Sequence, residues 1–258
     1  FGGTVASPSL DGGRLVLEGP IAVLLQGEPG RRQASGAPDA PPCSASAYDR
    51  IPGAPRVPTT AQTDEPSMSL LTLPTLSGPR VRLRSITTGD VEALFELGSD
   101  PVVMRYVAKP PWTRREQAVE KVAQFLERRR QGTGLSWALT RPDEDRLFGY
   151  VTVFALDAEQ RRASIGYALA RHTHGQGLAS EALPLALAFL FDALSLRRLE
   201  AEVDPANVAS RRLLRRLGFV EEGLARERWE IEGRLSDSVC YGLLAREFPG
   251  ARGAGHPA

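Results

Sequence analysis

The sequence predicts a mixed α/β domain of the α+β kind, built around a central sheet that begins antiparallel. Three observations predict it. From Val81 onward, strand-like and helix-like apolar periods alternate. Three strand-like runs, residues 135–140, 147–156 and 162–170, follow one another across turns too short for a crossover helix, so they are antiparallel neighbours. The third run then passes through a turn containing Gly175 and Gly177 directly into a long helical stretch.

The elements follow in order. Val81, Leu83 and Ile86 alternate with arginines as a first strand, and Thr87 and Asp90 have capping-box spacing before a helix carrying Val91, Leu94, Phe95 and Leu97. Asp100-Pro101 opens a short helical piece. Thr113 and Glu116 form a second capping signature before Val119, Val122, Phe125 and Leu126, and Gly132 and Gly134 end that helix. After the three antiparallel runs come a helix over 175–194, a strand over 199–203 and a helix over 206–217. Strands over 220–231 and 235–244 bring the total to about seven. Pro184 forfeits a hydrogen bond within the long helix and should bend it.

Residues 1–67 hold half of the twenty prolines and show no sustained period, so they are expected to be a disordered or non-native extension. The exception is 14–26, whose two short apolar runs flank Gly19-Pro20 as a small hairpin would. Met68, the first methionine, is read as the start of the true domain, which spans 68–250 and leaves 251–258 as a flexible tail. A net charge of +1 removes the basic excess expected of nucleic-acid binding. No apolar run reaches membrane length, and two cysteines form neither a disulfide framework nor a metal knuckle. A cytoplasmic protein without membrane or nucleic-acid partners is expected, as a monomer or homodimer.

The chemistry concentrates in the turn. A strand entering a helix through glycines directs several N–H groups and the positive helix end at one point, which suits a pyrophosphate. A Walker A loop needs a lysine here, and none is near. A dinucleotide fingerprint is nearly matched by Gly175, Gly177 and Ser180, with Glu200 at ribose-partner distance, but antiparallel strands precede it where a parallel βαβ unit should begin.

His172-x-x-Gly175-x-Gly177 resembles the acetyl-CoA pyrophosphate loop of the GNAT acetyltransferases, with His172 where glutamine or arginine is usual. Ala179-Ser180-Glu181-Ala182 is similar to the continuation in the ribosomal-protein N-terminal acetyltransferase branch, as are Asn207-Val208-Ala209-Ser210 and Leu217-Gly218-Phe219. The likeness extends to Pro110-Pro111-Trp112-Thr113 and to the closing strands at 236–239 and 241–244.

The resemblance implies a GNAT fold, with helices on both faces of the sheet and a splay between the fourth and fifth strands. It implies acetyl-CoA as co-substrate, an amine as acceptor and no metal. The phosphates would lie against His172, His174, Gly175, Gln176, Gly177, Leu178, Ala179 and Ser180. The pantetheine arm would pair with Tyr167, Ala168, Leu169 and Ala170, the thioester oxygen facing an N–H near Leu169. Asn207 and Ser210, one helical turn apart, would flank the cofactor with Ser210 donating to the thiolate, although the pair also fits helix capping.

Many relatives carry a glutamate just before the Ile-Gly-Tyr step, where this chain has Ser164. Strand alternation makes Glu200 the best remaining candidate for the base, although it shares a face with Glu202 and Asp204 and a solvated strand face explains all three equally well. A site without a strong base suits an α-amine, whose pKa near ~8 makes deprotonation easier than for lysine by roughly 3 kcal/mol. The acceptor expected is therefore a protein or peptide α-amine. A small amine, such as an antibiotic, polyamine or amino-acid derivative, is the alternative. A GNAT-like module that binds acyl-CoA without turnover is another, which Ser164 favours and Asn207 and Ser210 oppose. His172 and His174 lack further ligands for a metal. Arg211, Arg212, Arg215 and Arg216 read equally as a phosphate contact or a solvated stripe, and Tyr106 and Trp112 as acceptor-site lining or core.

Overall fold

The computed structural model describes residues 73–249 together with Leu10–Asp11 and Arg14–Leu15. The last two, β1 and β2, pair as a minimal antiparallel ladder. The hairpin expected over 14–26 falls, beyond Leu15, outside the described residues.

The domain is an eight-stranded sheet in the order β3-β4-β5-β6-β7-β8-β10-β9. Its strands are β3 (Leu76–Ser77), β4 (Arg82–Ser85), β5 (Leu135–Thr140), β6 (Gly149–Asp157), β7 (Arg162–Leu169), β8 (Arg198–Val203), β9 (Val220–Ile231) and β10 (Arg234–Leu244). The strand beyond the expected seven is the two-residue β3, too short to carry a period. All neighbours are antiparallel except β7 and β8, which are parallel.

Helices α1 (Val91–Ser99), α2 (Pro101–Met104) and α3 (Glu116–Arg130) cover one face, with Leu94, Val103, Val122 and Phe125 packed on Ala138, Tyr150 and Ala168. Helices α4 (Leu178–Ala188) and α5 (Val208–Arg216) cover the other, with Leu183, Leu187 and Leu213 packed on Trp137, Ile165, Tyr167 and Leu199. The fold is therefore the expected one, with helices on both faces.

Local chemistry explains the helix ends. Asp90, almost wholly buried, accepts from the Thr87 N–H at 2.8 Å and from both Arg84 Nη atoms at 2.7 and 2.8 Å. Burial alone would raise the Asp90 pKa; Arg84 and the Thr87 N–H outweigh it and hold the carboxyl below its ordinary value. The second capping signature is corrected. Gln117 Oε1, not Thr113 or Glu116, ties the chain ahead of α3, accepting from the N–H groups of Thr113 and Arg114 at 2.9 and 3.0 Å. The amide reaches two orphan donors at once, which Glu116 at the first helical position cannot do. The long helix starts at Leu178, three residues later than its glycine signal, contains Pro184 and ends in a π turn, Phe189–Ala193.

Candidate functional site

The parallel ladder between β7 and β8 has three register pairs: Arg162 with Arg198, Ala163 with Leu199, and Ser164 with Glu200. Beyond them the strands part. Parity decides which main-chain groups of β7 face the opening, because residues on an antiparallel strand turn their N–H and C=O alternately to either side. Ala170 donates to Phe148 O at 2.7 Å, so Ala168 and Ala170 point at β6. Arg161 O accepts from the Arg197 N–H at 2.7 Å, so odd-numbered residues point at β8, and Tyr167 and Leu169 therefore face the gap. Of the four residues expected along the arm, Tyr167 and Leu169 turn their backbone groups to the gap, while those of Ala168 and Ala170 are directed at β6.

The Leu169 carbonyl already holds His174 Nε2 at 2.9 Å. Burial lowers the His174 pKa against the opposing pull of that carbonyl and of Asp100, so the ring is neutral near pH 7 and donates from Nε2. His174 thus braces the turn from within.

Gly175 and Gly177 have φ of 74° and 75°, and Gly177 is the N-cap of α4 without a side-chain cap. The opening amides of the helix, up to Ser180, lack intrahelical acceptors. The turn is held in place from outside. Arg80 donates from Nη1 to Gln176 O at 3.0 Å and from Nε to Glu181 Oε2 at 2.9 Å. Gln176 bonds His172 O through Nε2 at 2.8 Å and accepts from Arg141 through Oε1 at 2.7 Å. The side chain and carbonyl of Gln176 are therefore spent on holding the turn, leaving its N–H for a ligand. Arg216 Nη1 lies 3.4 Å from Ser180 Oγ, which takes this arginine to the mouth of the turn, whereas Arg211 and Arg215 are tied to Glu221. Unshared amides flanked by Arg80, Arg141 and Arg216 fit a diphosphate. The part played by Arg80 and Arg141 carries no local sequence signal, since both arrive from loops distant in the chain.

Asn207 caps α5, its Oδ1 accepting from the Ser210 N–H at 3.1 Å, and both residues are buried. The capping role is real, and it fixes Ser210 beside the buried Tyr167 hydroxyl.

Glu200 sits where the strands part, on the face opposite the buried Leu199, Ala201 and Val203. Arg198 Nε donates to its Oε1 at 2.8 Å while the same guanidinium holds Glu222. Arg228 grips Glu202 with two bonds of 3.0 and 3.1 Å. On that face a cavity of about 510 Å³ lies among α1, α2 and the end of β7, lined by Leu97, Asp100, Val103, Leu147, Ala170 and His172. Trp112 instead packs on Gly98 of α1. Among the described residues no His, Cys, Asp and Glu group could hold a metal, and no helix is long and apolar enough to cross a membrane.

Comparison with known proteins meets this geometry. The family described as Acetyltransferase (GNAT) domain matches residues 80–220. An uncharacterized N-acetyltransferase, p20, from Bacillus licheniformis is 35% identical over 176 residues, covering 68% of this chain and 99% of its own length. The ribosomal protein uS5-alanine N-acetyltransferase of Escherichia coli is 30% identical over 133 residues, 51% of this chain and 69% of that protein. Among solved structures, Mycobacterium smegmatis RimJ in complex with CoA-disulfide is similar with a TM-score of 0.60 at 27% identity, covering 68% of this chain and 90% of its own.

Proposed function

Because the chain belongs to the GNAT acetyltransferase family and is an N-acetyltransferase, we propose that it moves the acetyl group of acetyl-CoA to the α-amine of a protein or peptide. The observation that carries the reading is the fork between β7 and β8, where the main chain of Tyr167 and the Leu169 N–H face the opening, leading to a turn of unshared N–H groups. The main chain of Tyr167 holds the arm as an added strand would, residues 175–180 hold the phosphates, and the Leu169 N–H polarises the carbonyl. The thioester itself supplies the activated acetyl group.

The choice of amine follows from how the carboxylates of the acceptor side are held. Glu200 and Glu202 are both engaged by arginines, so the site favours an amine that sheds its proton near neutrality. The relation to a ribosomal-protein N-acetyltransferase supports the same acceptor. A small amine is the second reading, favoured by the cavity beside Ala170, whose size suits a compact ligand.

The test is acetyl-CoA turnover, followed as free thiol, against peptides with free or blocked N-termini and a set of small amines. Thiol release with free N-termini and none with blocked, lysine-bearing peptides is expected. Turnover of small amines alone replaces this reading with the second one.

A further inference from the structure

Lys121 is one of only two lysines in the chain, Lys109 being the other. It is half-buried on α3, with Nζ 4.7 Å from the centre of the Phe125 ring, and it makes no hydrogen bond or ion pair among the described residues. The two charges that act on it, Arg128 and Lys109, are both positive. An ammonium drawn out of water ordinarily finds a carboxylate, because nothing else repays the hydration it has lost. Its place in the fold is as informative. The Phe125 ring lies 5.5 Å from that of Tyr150, and Tyr150 is in register with Ala168 at the β7 side of the fork. Lys121 thus ends a row of contacts that begins beside the place proposed for the thioester, whereas Lys109 is exposed in the loop between α2 and α3.

We propose that Lys121 is a modification site of this chain, its Nζ taking an acetyl group from a thioester. The natural donor is the acetyl-CoA of the function proposed above, and for that donor alone the inference rests on that reading. In the step, the lone pair of the uncharged Nζ forms the C–N bond, the C–S bond breaks, and its electron pair departs on sulfur. One proton leaves the nitrogen and completes the free thiol, so that an amine and a thioester become an amide and a thiol. Burial, with Arg128 and Lys109 adding to it, pulls the Lys121 pKa down to about 7, so a large share of the amine is neutral near that pH. A solvated lysine titrates near ~10.4 and is almost wholly protonated there. Desolvation in an apolar setting beside other cations is a recognised way of making a lysine nucleophilic. The amide that results carries no charge, so acetylation also relieves the unpaired cation on the Phe125 face.

The test uses the folded full chain at pH 7 with two donors: acetyl-CoA, and S-acetyl-N-acetylcysteamine, a thioester without the nucleotide. Peptide mass spectrometry follows the two lysines, Lys109 serving as the internal reference. Lys121 should gain the acetyl mass at least roughly tenfold faster than Lys109, and the preference should vanish in denaturant. Desulfo-CoA, which resembles the cofactor but carries no thioester, separates the sources. Labelling by acetyl-CoA that it abolishes comes from donor held in the fork, and labelling that it leaves comes from free donor; both results keep Lys121 as the site. If acetyl-CoA neither binds nor reacts while the small thioester still selects Lys121, the acetyl-CoA reading falls and the modification site stands. Equal labelling of the two lysines, preference for Lys109, or an unmodified Lys121 with both donors would overturn the proposal.

Discussion

At Gly177 the backbone, and not crowding, makes glycine necessary. Its φ of 75° lies in the left-handed region, while a β-carbon placed there would meet only Arg80 Nη2, at an unstrained 3.6 Å. Alanine is thus accommodated in space and opposed by conformation, at a cost of about 1 kcal/mol. Gly177→Ala should lower the melting temperature by roughly 2–4 °C and weaken CoA binding at least tenfold, as the turn relaxes and its amides lose their common aim. Calorimetry of both properties checks this, and unaltered affinity would remove the turn from the phosphate site. The residues legible from sequence were those whose meaning is local: Gly175, Gly177, Asn207 and Ser210 lie in short motifs. Arg80, which holds the turn through Gln176 and Glu181, is about a hundred positions away, and nothing in its neighbourhood announces the contact.

Among the elements, α3 shows how periodicity both succeeds and fails. Val122 and Phe125 are buried as their spacing predicts, but Val119 is 42% exposed and Ala118 takes its place in the core. Alanine gives hydropathy no clear preference, so the face was drawn one residue off. Lys121 lies next to that stripe, its Nζ 4.7 Å from the centre of the Phe125 ring. Burial first, then Arg128 and Lys109, bring its pKa down to about 7. The folded-state value is below the unfolded one, so above pH 7 and up to about 10.5 the unfolded chain binds a proton that the native chain lacks, and stability rises with pH across that window. Below pH 7 the penalty of the buried charge is complete. Lys121→Met should therefore raise the melting temperature most at pH 6, with the gain shrinking toward pH 10; a gain independent of pH would contradict the assignment. The same element-level reading located all seven substantial strands, because alternation and turn chemistry are written along the chain. It misjudged the start of α4 by three residues, because a glycine turn and a helical first turn look alike until φ is known.

For the molecule as a whole, the antiparallel neighbours β5, β6 and β7 were legible from their short turns, but the remaining strand order and the register were not, since pairs such as Ser164 with Glu200 join residues separated by a helix. The resemblance supplied the fork, but only register showed which amides face it. That distinction is measurable by hydrogen exchange. Without ligand, the Tyr167 and Leu169 amides should exchange faster than those of Gly166, Ala168 and Ala170, and saturating CoA should slow the first pair at least tenfold while leaving the others nearly unchanged. Equal protection of all five would mean that the arm does not lie along β7.

The opening between β7 and β8 has a blind end. From Leu169 back to the last ladder pair at Ser164 is five residues, roughly 16 Å of extended chain, and past that point the backbone of each strand is already taken. An arm entering from the phosphate turn can thus advance only so far, and the crotch of the sheet acts as a depth stop. Bulkier acyl groups than acetyl must turn aside into side-chain space at that limit, so the same three pairs that join the two halves of the sheet also gauge the cargo.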